Sequence, residues 1–240
     1  MGIDNSKDRS ENRIVIPDKP MNAMVGFSVE AIRDALGGSL KPLMDAVLSG
    51  KIRGCAGIVG CNNPKVKHDS GHITLAKELI RRDILVVETG CASIACAKAG
   101  LMVPEAIAGA GKGLKEVCGS LGIPPVLHMD SCVDNSRIIN LVAELANLAN
   151  VQIDQLPVAG AAPEWYSSKA MTVASYFVGS GVSVALGVMP RIEGSAKVVK
   201  LLTNDVEGVV GAKFWVEPEP KKAAAIMWDH VEDKRRALNI

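Results

Sequence analysis

Three of the six cysteines arrive in the same way, each at the end of an apolar, β-like run. Gly57-Ile58-Val59-Gly60 leads into Cys61, Leu85-Val86-Val87-Glu88-Thr89-Gly90 into Cys91, and Val126-Leu127-His128-Met129-Asp130-Ser131 into Cys132. Residues that follow successive strands of a parallel sheet share its carboxyl edge, where ligands bind in the crevice between strands. The sulfurs should therefore meet there although they are far apart in sequence. A thiol in the first turn of a helix also faces free N–H groups and the positive end of the helix dipole, which favours thiolate. Three such thiolates facing one point suggest a metal or iron–sulfur site. Cys55, Cys96 and Cys118 read differently, as small core hydrophobes next to or within buried elements.

The elements that must position the three thiols alternate strand and helix along the chain. Ser28 caps a helix over Val29–Leu36, Gly37-Gly38 breaks it, and Ser39 to Leu48 gives a second helix. Strands are expected at Gly54–Val59, Ile84–Val87, Val126–Met129, Leu156–Ala159, Val182–Leu186 and Lys213–Val216. Helices are expected over Ser70 to Arg82, after Cys91, over Gly113–Leu121, from Asn135 to Ala149, over Glu164–Gly179, near Ser195–Leu202, and after Pro218 or Pro220. The fold class that follows is α/β: a single doubly wound parallel sheet, helices on both faces, and an N-terminal helical hairpin. Residues 1–20 read as a polar, disordered leader and residues 21–240 as one domain.

At 240 residues, with 48% hydrophobic content and a net charge of +1, the chain can bury a full core. It has no basic stripe with interleaved aromatics, so nucleic-acid binding lacks support. Neither a signal core nor a membrane-length apolar run is present, which points to a cytoplasmic protein with reduced or metal-bound thiols. Met1-Gly2-Ile3-Asp4-Asn5-Ser6 fits the loose N-myristoylation pattern, though a plain polar leader is the expected reading. Gly109-Ala110-Gly111-Lys112-Gly113 lacks the Gly-Lys-Ser/Thr spacing of a P-loop and reads as a flexible connector.

Several motifs in fixed order carry a family resemblance. Gly57 through Lys65, Thr89-Gly90-Cys91-Ala92, Val126 through Arg137, Ala162 through Ala170 and Gly211-Ala212-Lys213-Phe214 closely resemble the carboxy-terminal, Rossmann-like domain of the anaerobic nickel–iron carbon monoxide dehydrogenases. The resemblance runs over about residues 22 to 235. It implies a nickel–iron–sulfur cluster that interconverts carbon monoxide and carbon dioxide. Cys61 and Cys91 match iron ligands, and Cys132 matches the nickel ligand. Lys169 matches a lysine that hydrogen-bonds the bound carbon dioxide. Read without the family, this lysine is a solvated surface residue, whereas partial burial in its helix would tune its pKa downward.

The same resemblance implies further cluster ligands, a histidine and two cysteines, from a preceding domain or subunit that is not in this sequence. It also implies an electron carrier such as ferredoxin and a homo-oligomer or larger assembly. His68, His72, His128 and His230 occupy other motif positions and do not fill the missing ligand role. Asp130 stands where the family pattern has glycine, and its carboxylate either faces outward or perturbs the site. Two alternatives stand beside the dehydrogenase. One is a non-catalytic metal-binding or assembly module, and the other a protein like the hybrid-cluster hydroxylamine reductases, which share the architecture.

Overall fold

Every strand pairing among the described residues is parallel, and the sheet that results has a reversal in its middle. The computed structural model describes residues 20–240; apart from Pro20, the polar leader and the Met1-Gly2 pattern lie outside them. The strands are β1 (Gly54–Ile58), β2 (Ile84–Thr89), β3 (Val126–Asp130), β4 (Val158–Ala162), β5 (Val184–Leu186) and β6 (Phe214–Val216). Their order across the sheet is β3-β2-β1-β4-β5-β6. The chain first winds from β1 out to β3 and then returns to lay β4 on the other side of β1. A crevice opens at such a switch point, between the loops leaving β1 and β4.

The helices are α1 (Val29–Ala35), α2 (Lys41–Leu48), α3 (Ser70–Ile80), α4 (Gly90–Lys98), α5 (Lys112–Leu121), α6 (Ser136–Ala149), α7 (Ser168–Gly179), α8 (Ala196–Lys200), α9 (Glu207–Val210) and α10 (Pro220–Leu238). Helix α3 packs against α4 and α10, while α1 and α2 form the hairpin that packs on α6. Ser28 caps α1, its hydroxyl accepting from the Ala31 N–H at 3.1 Å. Strand β1, Gly-Cys-Ala-Gly-Ile, is buried along its whole length, as a central strand covered on both faces must be. Its small residues let helices approach: the bare face of Gly57 looks onto Ile138 of α6 and Phe177 of α7.

Several elements depart from the sequence reading. Strand β4 runs over Val158–Ala162 instead of Leu156–Ala159, because the chain first makes a 3₁₀ turn at Ile153–Gln155. Helix α7 begins at Ser168 rather than Glu164, and the residues before it form an extended loop that buries Glu164. The segment expected near Ser195–Leu202 is a short helix α8 running into a π turn at Leu201–Asp205 and then α9. The glycine-rich stretch is not a flexible connector. Gly109 ends a 3₁₀ helix that starts at Pro104, and Gly113 lies inside α5, where a Cβ would strike the Lys51 backbone. Glycine is there because two backbones touch.

Cys55, Cys96 and Cys118 are buried, as small core hydrophobes should be. Burial pushes the Cys55 and Cys118 thiols up to about 12. Cys96 has one polar partner, donating from its sulfur to Glu88 Oε1 at 3.0 Å. Glu88 sits within β2 with no exposed surface, and its Oε2 has no hydrogen-bond partner among the described residues. Burial raises its pKa from 4.5 to about 8, against the opposing hydrogen bond from Cys96. The carboxyl is therefore protonated at neutral pH, which removes the cost of burying an unpaired charge.

A folded-state pKa above the unfolded value makes the Glu88 contribution complete below pH 4.5 and lost as pH rises through about 8. The urea midpoint of the chain should therefore fall between about pH 5 and about pH 9. In Glu88→Gln, which cannot ionise, that fall should be visibly smaller. Parallel pH profiles for the two proteins would expose the prediction as wrong.

Candidate metal centre at the carboxyl edge

The ends of β1, β2, β3 and β4 bring Cys61, Cys91, Cys132 and Lys169 to one edge of the sheet. Gly60 and Gly90 hold φ values of 110° and 64°, a left-handed turn that carries each chain from its strand into the following cysteine. Gly90 is also a point of close approach, since a Cβ there would lie 2.8 Å from the Cβ of Cys132. The backbone N–H of Asn62 faces the Cys91 sulfur, so the loop after β1 reaches the start of α4. Lys169 Nζ donates to Cys132 Sγ at 3.1 Å. Cys61 Sγ lies 3.6 Å from Ser167 Oγ, two residues before that lysine.

Only Cys91 sits in the first turn of a helix, as the second residue of α4. Cys61 precedes α3 by nine residues and Cys132 precedes α6 by four. The electrostatics then run opposite to the helix-start expectation. Burial and the neighbouring Cys61 and Cys132 charges push the Cys91 thiol up, with the Asn62 N–H opposing. Burial also acts to raise Cys61, but the Ser167 backbone and hydroxyl, the Tyr166 N–H and the Lys169 ammonium hold it below the usual thiol value. Direct hydrogen bonds outweigh a helix dipole whose reach is one turn.

Lys169 is exposed, and its pKa moves up rather than down, correcting the burial argument. The hydrogen bond to Cys132 is the largest cause, followed by the Cys132 charge, with the charges of Cys61 and Cys91 adding to it. The ammonium thus keeps its proton and serves as a donor. Asp130 is held outward in an ion pair with Arg137 Nε at 2.8 Å and accepts from the Ser131 N–H at 2.6 Å. Arg137 also pairs with Asp134 and Glu30, so the carboxylate in the glycine position is absorbed by a cation of α6.

Further residues hold the thiol loops through contacts that the sequence pattern does not show. Buried His72 lies with Nε2 2.8 Å from the Cys61 carbonyl, and burial lowers its pKa, so a neutral ring donates there. Asn135 takes the Thr89 hydroxyl on Oδ1 at 2.5 Å and donates from Nδ2 to the Cys132 carbonyl at 3.1 Å. It therefore joins the end of β2 to the Cys132 loop. His68 is exposed beside Asp69, and His230 packs edge-on against Trp215 with a pKa lowered to about 4, chiefly by burial. His128 lies in β3. Around the thiols, Ile94, Val133 and Tyr166 are 61%, 80% and 61% exposed.

Partly accessible sulfur donors beside an ammonium are soft donors whose chemistry suits an iron–sulfur or nickel group. Among the described residues no three His, Cys, Asp or Glu side chains close on a single ion position. Cys61, Cys91 and Cys132 are each partly accessible, unlike the three core cysteines. The Lys169 ammonium stands among these sulfurs, which favour its protonated form.

Comparison with known proteins places these motifs in context. The Prismane/CO dehydrogenase family model matches residues 1–221. Carbon monoxide dehydrogenase 1 of Methanosarcina acetivorans is 54% identical over 99% of this chain, and that of Carboxydothermus hydrogenoformans is 41% identical over 100% of this chain. The chain spans 38% and 40% of these relatives' lengths. Among solved structures, the nickel-free carbon monoxide dehydrogenase from Thermococcus sp. AM4 superposes with a TM-score of 0.95 at 55% identity, covering 99% of this chain and 38% of that one. A chain of an acetyl-CoA synthase/carbon monoxide dehydrogenase structure, one described for NiZn[Fe4S4] and NiNi[Fe4S4] clusters in its alpha subunits, gives 0.90 at 34% identity, covering 98% of this chain and 37% of that one.

The thiol environments predict an order of reactivity in the metal-free chain. Iodoacetamide at about pH 7.5 should alkylate Cys61 ahead of Cys91, because the lower pKa leaves more thiolate. Cys55, Cys96 and Cys118 should react only after unfolding. Ser167→Ala should slow Cys61 roughly several-fold by removing its hydrogen bond. Peptide mass spectrometry resolves all of these sites, and faster labelling of Cys91 than of Cys61 would contradict the assignment.

Proposed function

The chain belongs to the Prismane/CO dehydrogenase family, and from that premise we propose that it supplies three thiolates and a lysine to the active site of a carbon monoxide dehydrogenase. The observation that carries the reading is the 3.1 Å contact from Lys169 to Cys132 at the edge that also holds Cys61 and Cys91. Cys61 and Cys91 would hold iron and Cys132 nickel, in a nickel–iron–sulfur cluster. That cluster, when bound, supplies the two-electron interconversion of carbon monoxide and carbon dioxide.

The residues of this chain have separate tasks. The three loops present thiolates at positions fixed by backbone and side-chain hydrogen bonds before any metal arrives, which lowers the cost of assembly. Lys169 extends a protonated amine from the second residue of α7 over the same crevice. Carbon dioxide gains negative charge on oxygen as it bends, and a fixed ammonium donor stabilises that charge. The exposed Ile94, Val133 and Tyr166 would meet the polypeptide that brings the remaining ligands and excludes water.

The substrates would be carbon monoxide and carbon dioxide, with electrons passed to a carrier such as ferredoxin, under anaerobic conditions in the cytoplasm. No helix among the described residues is long and apolar enough to cross a membrane. Completion of the site would come from a further domain or subunit, within a homo-oligomer or larger assembly. The dehydrogenase reading is favoured over the hydroxylamine reductase-like one by Gly60-Cys61-Asn62-Asn63 and Ser131-Cys132-Val133-Asp134-Asn135.

Reconstitution tests this assignment directly. The chain alone should show no carbon monoxide-dependent dye reduction, whereas anaerobic addition of the complementary portion of a relative with iron, sulfide and nickel should give activity. Lys169→Ala should leave iron and nickel contents unchanged and lower turnover by about 10²-fold or more, the scale of a lost charge-stabilising donor. A wild-type assembly that binds metal but never turns over would favour the non-catalytic module instead. Unchanged turnover in Lys169→Ala would remove the lysine from the mechanism.

A further inference from the structure

The loops leaving β1 and β4 are tied together by a group that touches no thiol. Glu164, two residues beyond β4, is 1% exposed and accepts three hydrogen bonds from the Cys61 side of the crevice. Its Oε1 accepts from the Gly71 N–H at 2.7 Å, and its Oε2 accepts from the Asp69 N–H and Asn62 Nδ2, each at 3.1 Å. Asn62, which follows Cys61, also donates to Asp69 Oδ1 at 2.9 Å, and Asp69 is paired with Lys98 of α4. A second strap runs parallel: Asn63 Nδ2 donates to the Trp165 carbonyl at 3.0 Å, and Trp165 Nε1 donates to the Val188 carbonyl at 2.6 Å.

Three N–H donors converging on a buried carboxyl need acceptor-only oxygens, and the start of the eleven-residue α3 adds its dipole to hold that charge. Removing one partner would strand buried donors, so the tie resists displacement. Its geometric consequence lies three and five residues further on. Ser167 stands 3.6 Å from the Cys61 sulfur, and Lys169 reaches Cys132.

We infer that Glu164 is a positioning residue, whose buried carboxylate fixes the loop carrying Lys169 against the loop carrying Cys61 and so sets where the ammonium stands relative to the thiols. The functional weight of this inference rests on the dehydrogenase reading, while the positioning itself can be measured without metal.

The measurement uses the full metal-free chain bearing Ser167→Cys. Oxidised glutathione joins the new thiol to Cys61, two thiols losing two electrons and two protons as two molecules of glutathione are released. The disulfide's effective concentration, read by peptide mapping, reports how firmly the loops are held together. Glu164→Gln should lower it about tenfold or more, as a fixed pair becomes a loosely tethered one, and Asn62→Ala should do the same from the other side. The double variant should be no worse than the single variants, since both cut one tie. Glu164→Ala is expected to be the most severe, and if it does not fold, the other two carry the test.

A lower melting temperature with an unchanged effective concentration would make Glu164 merely structural and overturn the inference. In the reconstituted assembly, Glu164→Gln should lower kcat with iron and nickel contents and KM unchanged. If the wild-type assembly is inactive while the disulfide effect is present, the dehydrogenase reading fails and the positioning stands. Full kcat in Glu164→Gln despite the disulfide effect would instead show that the tie does not govern Lys169.

Discussion

Two parallel strands cannot be joined by a tight turn, so each must be followed by a crossover that returns the chain to the same starting edge. In this chain that constraint acts on β1, β2, β3 and β4, and it leaves the first residues after each strand crowded along one rim. The winding direction reverses at β1, which has β2 on one side and β4 on the other, so the loops leaving β1 and β4 part there. Thirty and forty-one residues of sequence separate Cys61 from Cys91 and Cys91 from Cys132. The sheet brings them close enough for their charges to affect one another.

Crowding like charges has a cost, and the chain offsets it with specific local contacts. The rise of the Cys91 pKa is due to burial and the two neighbouring sulfurs, whereas Cys61 escapes the same fate because the loop after β4 supplies donors to it. Lys169 completes the balance by standing on Cys132. The three sulfurs are thereby kept together on one rim, while the hydrogen bonds of His72 and Asn135 to the cysteine carbonyls fix the loops from behind. Such outer contacts orient ligands whose own side chains have little to hold them.

Much of this was legible in the sequence, and what escaped shares one physical cause. The apolar runs before Cys61 and Cys91 are strands buried on both faces, and the run before Cys132 is an edge strand that leaves His128 and Asp130 partly exposed; all three patterns can be read without coordinates. Ser28 reads correctly as a cap because its partner is three residues away. Glu164, in contrast, looks like the first residue of an apolar helix, and only its contacts with Asn62, Asp69 and Gly71, some ninety to a hundred residues earlier, make it part of a loop. Helix start in the β4–α7 segment was therefore misplaced by four residues. Gly113 looked flexible for the same reason, since the Lys51 backbone that demands a glycine is distant in sequence.

The direction of the Lys169 shift turns on the same distinction between local and long-range information. Placement early in an apolar helix suggests desolvation, which would favour the neutral amine. With α7 starting at Ser168, however, the side chain projects from the helix's first turn into the crevice, where three thiols outweigh the small burial. A lysine in that setting remains charged across the neutral range, so it is suited to hold an oxygen that gains negative charge and poorly suited to act as a base. The chemistry available at the rim is thus decided by which strand ends meet there, and the tie between the β1 and β4 loops determines how closely the charged amine follows the thiols.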